Sequence, residues 1–274
     1  MVEGVGLHTG ERCAIRISPA DERCGITFLV GADRTPIQAN ADNVGHWKRQ
    51  TALVGEKASV GMVEHLLAAL AGLGILHAII GVTGPEVPAL DGSALPFVEL
   101  IEQAGTKALG GPMPRMTIPS PIIVENGESR LAAHAADRYA LSVTVQYPDV
   151  GEQNLSLELT PETFKKELAP ARTFGFAEEA KEILAAGLAA GASLENVVLV
   201  DRGRYSAPLR FPDELVRHKM LDLVGDLSLV GVPFDAHIEA VRPGHRINVQ
   251  LARSIASALS AISEASPGPK SQGG

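Results

Sequence analysis

The chain has little cysteine, no surplus of basic charge and no unbroken apolar span, and each shortage removes a class of function. Cys13 and Cys24 are the only two cysteines in 274 residues. Both lie in the first expected strand pair and lack metal-type spacing, so they read as reduced thiols of a cytosolic protein. Lys and Arg number 24 against 32 Asp and Glu, a net charge of −8 with a pI near 5.5. That balance argues against a general nucleic-acid binder and leaves room for a small anionic ligand held by a few local cations. The opening MVEGVGLHTG has no basic segment followed by an apolar one, so no secretory signal is expected and the chain is expected to start as written. Leu66 to Pro85 is free of charge for 20 residues, long enough to cross a bilayer. Gly72 and Gly74 interrupt it, however, and it divides into helix, turn and the buried strand ILHAIIGV, so no stable membrane insertion is expected.

A chain of this length can hold one large domain or two medium ones. The β-like runs CAIRIS, GITFLV and TPIQA come first, followed by a loop-rich stretch with Trp47. The pattern predicts a helix over about 62–72, a strand over 75–82, the turn LDGSALP and a helix over about 96–104. LGGPMPRM, residues 109–116, gathers Gly and Pro and reads as a linker. Beyond it PIIVEN, SRLAAHA and YALSVTVQY read as strands, followed by turns begun by Pro and Thr. Helices over 161–168 and 177–187, the strand ENVVLV, a helix through RHKMLDLVGDL, a strand over 233–241, the turn RPGHR and a helix to about 263 complete the order. The tail, residues 265–274, reads as disordered. Each half runs through strands, a helix that begins with a His, a strand, a turn and a closing helix. This predicts an internal duplication, with a first domain over 1–108 and a second over 117–264. If the two pack face to face, His65 of VEHLLAAL and His218 of RHKMLDLVGDL meet at the interface.

In RHKMLDLVGDL, His218, Asp222 and Asp226 recur every fourth residue and form one ridge of a helix. Met220, Leu223, Val224 and Leu227 fall on the other side, the face expected to be buried. Gly225 beside the ridge costs about 1 kcal/mol of helix propensity, which suggests that something needs room to approach. A His and an Asp at i and i+4 can reach one cation, although the same spacing also serves a surface pair or a satisfied hydrogen bond. A third ligand, His65, would make a His, His, Asp set with an open fourth position, the form of a catalytic zinc site. Glu64, about 100° round the helix from His65, can then lie beside that position and take a proton from water, or simply favour the helix start. His245, after Gly244 in RPGHRIN, can donate a proton to a leaving amine or can be an ordinary helix-terminus His. Thr173 in ARTFGF can donate to an oxyanion, though the letters favour a helix cap. The Ala- and Leu-rich stretch that follows reads either as a packed helix and strand or as an apolar wall for a lipid-like group.

These motifs, GVGLHTG, VEHLLAALAGLGI, ALDGSALPFV, ARTFGF, FPDELVRHKMLD with its following GD, and GHRIN, run in an order and spacing that resembles the UDP-3-O-acyl-N-acetylglucosamine deacetylases, the zinc amidases of lipid A biosynthesis. The resemblance covers nearly the whole chain. It implies two similar α+β domains that sandwich their helices between two outer sheets, with the metal at the domain interface. It implies His65, His218 and Asp222 as Zn2+ ligands, Fe2+ being possible in a cell, and Glu64 as general base. His245 would stabilise the charged intermediate and protonate the amine, oriented by Asp226, with Thr173 at the oxyanion. Lys219 would help hold the nucleotide-sugar phosphate, Phe174 would border the sugar, and an insert near 177–205 would form the acyl passage. The partner implied is a small UDP-sugar carrying an acyl chain, met in the cytoplasm by a monomer, with no nucleic acid. The family's strand ahead of GVGLHTG has no evident counterpart, which leaves either a truncated chain or a first sheet without its edge strand. Two other readings remain: an amidase for a different acylated amino sugar, and a non-catalytic binding protein on the same duplicated fold, which would hold no metal tightly and be indifferent to Glu64.

Overall fold

In the computed structural model, which describes residues 1–20, 24–45, 47–109 and 113–265 without the side chains of 263–265, the chain order is α+β throughout. The first half carries β1 Val2–Val5, β2 Arg12–Ser18, β3 Ile26–Val30, β4 Thr35–Gln38 and a short hairpin of β5 Leu53–Val54 with β6 Ser59–Val60. Helix α1 Glu64–Gly72, strand β7 Ala78–Thr83 and helix α2 Leu95–Ala104 follow. The second half has β8 Met116–Thr117, β9 Ile122–Asn126, β10 Ser129–Ala135, β11 Ala140–Tyr147 and β12 Gly151–Glu158. Then come the helical turn α3 Pro161–Thr163, β13 Phe174–Phe176, α4 Ala177–Ala185, β14 Val198–Asp201 and β15 Arg204–Tyr205. Helix α5 Glu214–Leu227, strand β16 Phe234–Val241 and helix α6 His245–Ala265 end the described chain.

The duplication is visible in the pairing. The first sheet has the order β1-β2-β7-β3-β4 and the second β9-β10-β16-β11-β12. In each, the late strand runs antiparallel to the second strand and parallel to the third, as in Ile15↔Val82 with Phe28↔Ile80 and in Leu131↔Ala240 with Leu141↔Ile238. Alternate residues face inward: Cys13 and Ile15 on β2, Leu141, Val143 and Val145 on β11, Phe234, Ala236, Ile238 and Ala240 on β16. One buried face per sheet is what antiparallel pairing with solvent on the other side requires.

Between the sheets lie α1 and α5, packed on one another. Every residue from Glu64 to Leu70 is buried, and one apolar core joins Ile15 and Phe28 of the first sheet to Leu131 and Ile238 of the second. A helix covered on all sides needs no polar stripe. This explains why VEHLLAAL shows no amphipathic pattern, and why the polar ridge of RHKMLDLVGDL is covered along with the apolar face that was expected to be buried. His218, Asp222 and Asp226 are as buried as Leu223. Gly225 has the neighbour it was expected to admit: a Cβ there would stand 2.1 Å from the Glu64 carbonyl oxygen.

Several boundaries differ from expectation. Helix α1 starts at Glu64 because Met62 has φ +57, which a right-handed helix cannot include. The edge of the first sheet is filled by β1, with Glu3↔Ala14 in register. The expected helix over 161–168 is present: α3, capped by Thr160 and Thr163, continues without a break as a wider helical turn over Phe164–Leu168 and stops before Pro170. Strand β12 lies where only turns were read: GEQNLSLE is a sheet edge with no fully buried residue, so its apolar signal is weak. Of the expected linker, Gly110–Pro112 lie outside the described residues and Met116 already pairs beside Phe234. Residues 266–274 of the expected disordered tail lie outside them too, as does His46.

Candidate active site

Helix α1 presents Glu64 and His65 in its first turn, and α5 presents His218, Lys219, Asp222 and Asp226 toward it. Nε2 of His65 and Nε2 of His218 each lie 3.4 Å from Oδ1 of Asp222. One ligand atom from each residue fits within 4.8 Å of the others, and all three residues are buried. Oδ1 of Asp222 has no hydrogen-bond partner among the described residues although it is shut off from solvent. A bare buried carboxylate oxygen is costly unless a cation meets it. Nδ1 of His218 lies 3.1 Å from the Ala171 carbonyl, which only accepts, so the ring proton is on Nδ1 and the Nε2 lone pair faces the cluster. Burial, only partly opposed by Asp222, pushes the His218 pKa down to about 3, so the ring is neutral and ready as a ligand at neutral pH. The Asp222 carboxyl lies well below the usual carboxylate range: burial opposes its charge, but the cationic surroundings outweigh it, with Lys219 Nζ 2.8 Å from Oδ2. Two imidazole nitrogens and one carboxylate oxygen suit a divalent cation held by three protein ligands.

Beside the cluster stands a second network. Oε2 of Glu64 accepts the Thr51 N–H at 3.1 Å, and Oε1 lies 3.8 Å from Nε2 of His245. Burial raises the Glu64 pKa, offset in part by His245 and His65. His245 opens α6, and its Nδ1 lies 2.9 Å from Oδ2 of Asp226, which also accepts from Asn248 Nδ2 at 2.9 Å. Burial would lower the His245 pKa, but Asp226 and Glu64 together push it up to about 9. The ring is therefore an imidazolium at neutral pH, facing a carboxylate on each side. Thr51 Oγ1 donates to Oδ1 of Asp226 at 2.5 Å, and its backbone N–H holds Glu64, so one loop residue spans the two carboxylates. No motif marks Thr51 in the sequence; it becomes visible only when the loop after Trp47 folds across both helices.

Thr173 does not cap a helix, since α4 begins after Phe176. Its N–H donates to the Gly92 carbonyl at 2.7 Å, and its own carbonyl accepts from Val198 N–H. Gly92, with φ +81, sits where a Cβ would be 2.0 Å from the Asn196 carbonyl oxygen. The turn LDGSALP thus clamps the Thr173 segment of the other half, and only glycine fits that crossing. Phe174 packs edge-on to Tyr147 and His218, with Lys219 Nζ 5.6 Å from its ring centre.

Glu64, His65, Thr173, Phe174, His218, Lys219, Asp222 and His245 border one cavity of 730 Å³, whereas Asp226 and Thr51 stand behind them. Phe176, Ala180, Ile183, Leu184, Ala192 and Leu199 give it an apolar arm. The loop after α4 returns over GVGLHTG, where Ala190 and Gly191 donate to the carbonyls of His8 and Leu7 at 3.0 Å each. His8, for which the letters offered no partner, lines the same cavity, with Nε2 buried and unpartnered among the described residues. No helix among the described residues is long and apolar enough to cross a membrane.

A family model described as UDP-3-O-acyl N-acetylglycosamine deacetylase matches residues 1–257. A UDP-3-O-acyl-N-acetylglucosamine deacetylase of Thermosynechococcus vestitus is 43% identical over 258 residues, 92% of this chain and 90% of that one. One of Geotalea uraniireducens is 39% identical over 252 residues, covering 89% and 82%, and one of Citrifermentans bemidjiense 41% over 254, covering 90% and 83%.

Proposed function

The chain belongs to the UDP-3-O-acyl-N-acetylglucosamine deacetylase family, and from that premise we propose how its own residues carry out the reaction. It is a metal-dependent amidohydrolase that removes the 2-acetamido group of UDP-3-O-(3-hydroxyacyl)-N-acetylglucosamine, giving acetate and the free amine, a step of lipid A biosynthesis. The observation that carries this reading is the orphaned Asp222 Oδ1 between two inward-facing imidazole nitrogens.

His65, His218 and Asp222 would hold Zn2+, and the donor set also admits Fe2+. When bound, such a cation supplies Lewis acidity that polarises the amide carbonyl and lowers the pKa of water. Glu64 takes the proton from the attacking water, and its raised pKa suits a base working near neutrality. Thr173 donates to the oxygen on which negative charge develops. His245, held as an imidazolium by Asp226, steadies that charge and gives its proton to the departing nitrogen as the C–N bond breaks. Glu64 and His245 thus exchange one proton gained for one proton given. Lys219 meets phosphate charge, Phe174 borders the sugar, and the arm lined by α4 and its loop takes the acyl chain. We further propose a cytoplasmic monomer, with the two halves dividing at 109–116.

The test is deacetylation of UDP-3-O-acyl-N-acetylglucosamine by metal-quantified protein, before and after chelation. About one zinc per chain, turnover that vanishes with the metal and returns with Zn2+, and no turnover of a substrate lacking the acetamide are the expected results. Zinc uptake without deacetylation would point to another acylated amino sugar, and absence of tight metal to the non-catalytic reading.

A further inference from the structure

Glu214 stands in the first turn of α5, one helical turn before His218, and is 1% exposed. A glutamate at that position commonly sits at the surface and favours the helix start. Here its carboxylate turns away from the helix's own amides. Oε1 accepts from the Arg172 N–H at 3.0 Å and from Arg172 Nε at 2.8 Å; Oε2 accepts from Arg172 at 3.0 Å and from the Arg210 N–H at 2.7 Å. Arg172 and Arg210 hold the Glu214 carboxyl below its ordinary pKa although burial works the other way.

The Arg172 N–H belongs to the same peptide unit as the Ala171 carbonyl, and that carbonyl is the partner of His218 Nδ1 at 3.1 Å. The N–H and C=O of a trans peptide point in opposite directions. Glu214 and His218, one above the other on α5, therefore grip one peptide group from its two ends. A carboxylate accepting from the N–H draws electron density toward the carbonyl oxygen, because hydrogen bonds in series polarise one another at low dielectric. The carbonyl becomes a stronger acceptor for the Nδ1 proton, and the Nε2 lone pair facing Asp222 becomes more basic. Metal-binding histidines usually meet a carboxylate or a carbonyl directly at the far nitrogen. In this chain a carboxylate acts on the histidine through an intervening amide.

We propose that Glu214 is a positioning residue for the metal centre, fixing the tautomer, the orientation and the donor strength of His218 through the Ala171–Arg172 peptide. No proton crosses the amide. The same grip holds the peptide next to Thr173, so one buried ion pair serves both sides of the cavity. A buried pair that costs desolvation is well explained by such a geometric task. This inference rests on the reading that His65, His218 and Asp222 hold a cation.

Its test is Zn2+ affinity by chelator competition for wild type, Glu214→Gln and a control, Glu167→Gln. The control breaks the ion pair of Glu167 with Arg217, beside His218, without touching the peptide. Glu214→Gln should bind Zn2+ at least about tenfold more weakly, whereas the control should bind as wild type does, with thermal midpoints of the metal-free proteins measured alongside. A role confined to stability would lower the midpoint and leave the affinity unchanged. In metal-free wild type, imidazole 15N NMR should find the His218 proton on Nδ1, a reading that needs no variant to fold. Wild-type affinity in Glu214→Gln, or a proton on Nε2, overturns the inference. If wild type itself takes up no zinc, the metal-site reading fails first and this inference falls with it.

Discussion

Nε2 of His245 faces Oε1 of Glu64 at 3.8 Å, so the proposed acid and the proposed base stand opposite each other in the cavity that His65, His218 and Asp222 also line. Their environments push them in useful directions. Burial raises the Glu64 pKa, while Asp226 and Glu64 itself, overcoming burial, keep His245 charged up to about pH 9. Each helix brings one half of the pair: α1 carries the base, and α5 carries the aspartate that holds the acid at the head of α6.

Replacing Glu64 by Gln keeps the shape and the hydrogen bond to the Thr51 N–H but removes the ability to accept a proton. The expected loss in kcat is about 10²- to 10⁴-fold, with zinc content unchanged because Glu64 is not among the three ligand residues. Steady-state kinetics with metal analysis on the same samples checks this. Equal loss of metal and activity would mean that Glu64 holds the cluster together instead of acting as base.

The pH profile should be bell-shaped. As pH rises through about 9, the imidazolium of His245 loses its proton and the acid function is lost, so kcat/KM falls on the alkaline side. Asp226 favours the charged form of the ring, so Asp226→Asn should move that alkaline limb toward lower pH. Because Glu64 and His245 interact, the limbs report the pair and not either residue alone. An alkaline limb that stays in place in the variant would assign the acid to another group.

Gly225→Ala should separate the two central helices. The added methyl would meet the Glu64 carbonyl at 2.1 Å and the Ala68 amide at 3.2 Å, both backbone atoms that cannot step aside alone. Overpacking of this kind costs about 1–3 kcal/mol. Urea denaturation should show that loss, and zinc affinity should fall as well, since His65 moves with α1. Unchanged stability would show that the helices do not approach as closely as described.

Much of the site could be read from residue types and spacing because its parts lie within short helical repeats. His218 and Asp222 are one turn apart, Glu64 and His65 adjacent, and the repeated order of strands and helices brings α1 to α5. What could not be read depends on long-range crossings. Thr51 joins Glu64 to Asp226 from a loop with no periodicity, and the Gly92 carbonyl meets Thr173 from the opposite half. The covering of the ridge is another case: periodicity reports that two faces of RHKMLDLVGDL differ, but not that α1, the Thr51 loop and the start of α6 close over the polar one. Strand β12 escaped notice because an edge strand buries too little to mark its alternation.

The apolar arm of the cavity gives the last prediction. Helix α4 has no buried residue, and Leu184, which lines the arm, is 60% exposed. Apolar side chains left open around a cavity gain most when an aliphatic chain fills it, at about 0.8 kcal/mol per buried methylene. Ala192→Trp would occupy part of that arm. Excluding two methylenes should raise KM for a long-acyl substrate by about tenfold, while a short-acyl substrate, which never reaches the obstruction, should keep its wild-type KM. The chemistry lies at the other end of the cavity, so kcat should change little for either. A matched rise in KM for both substrates would place the acyl chain elsewhere, and a fall in kcat alone would mean that the loop after α4 acts on the reacting groups through its contacts with GVGLHTG.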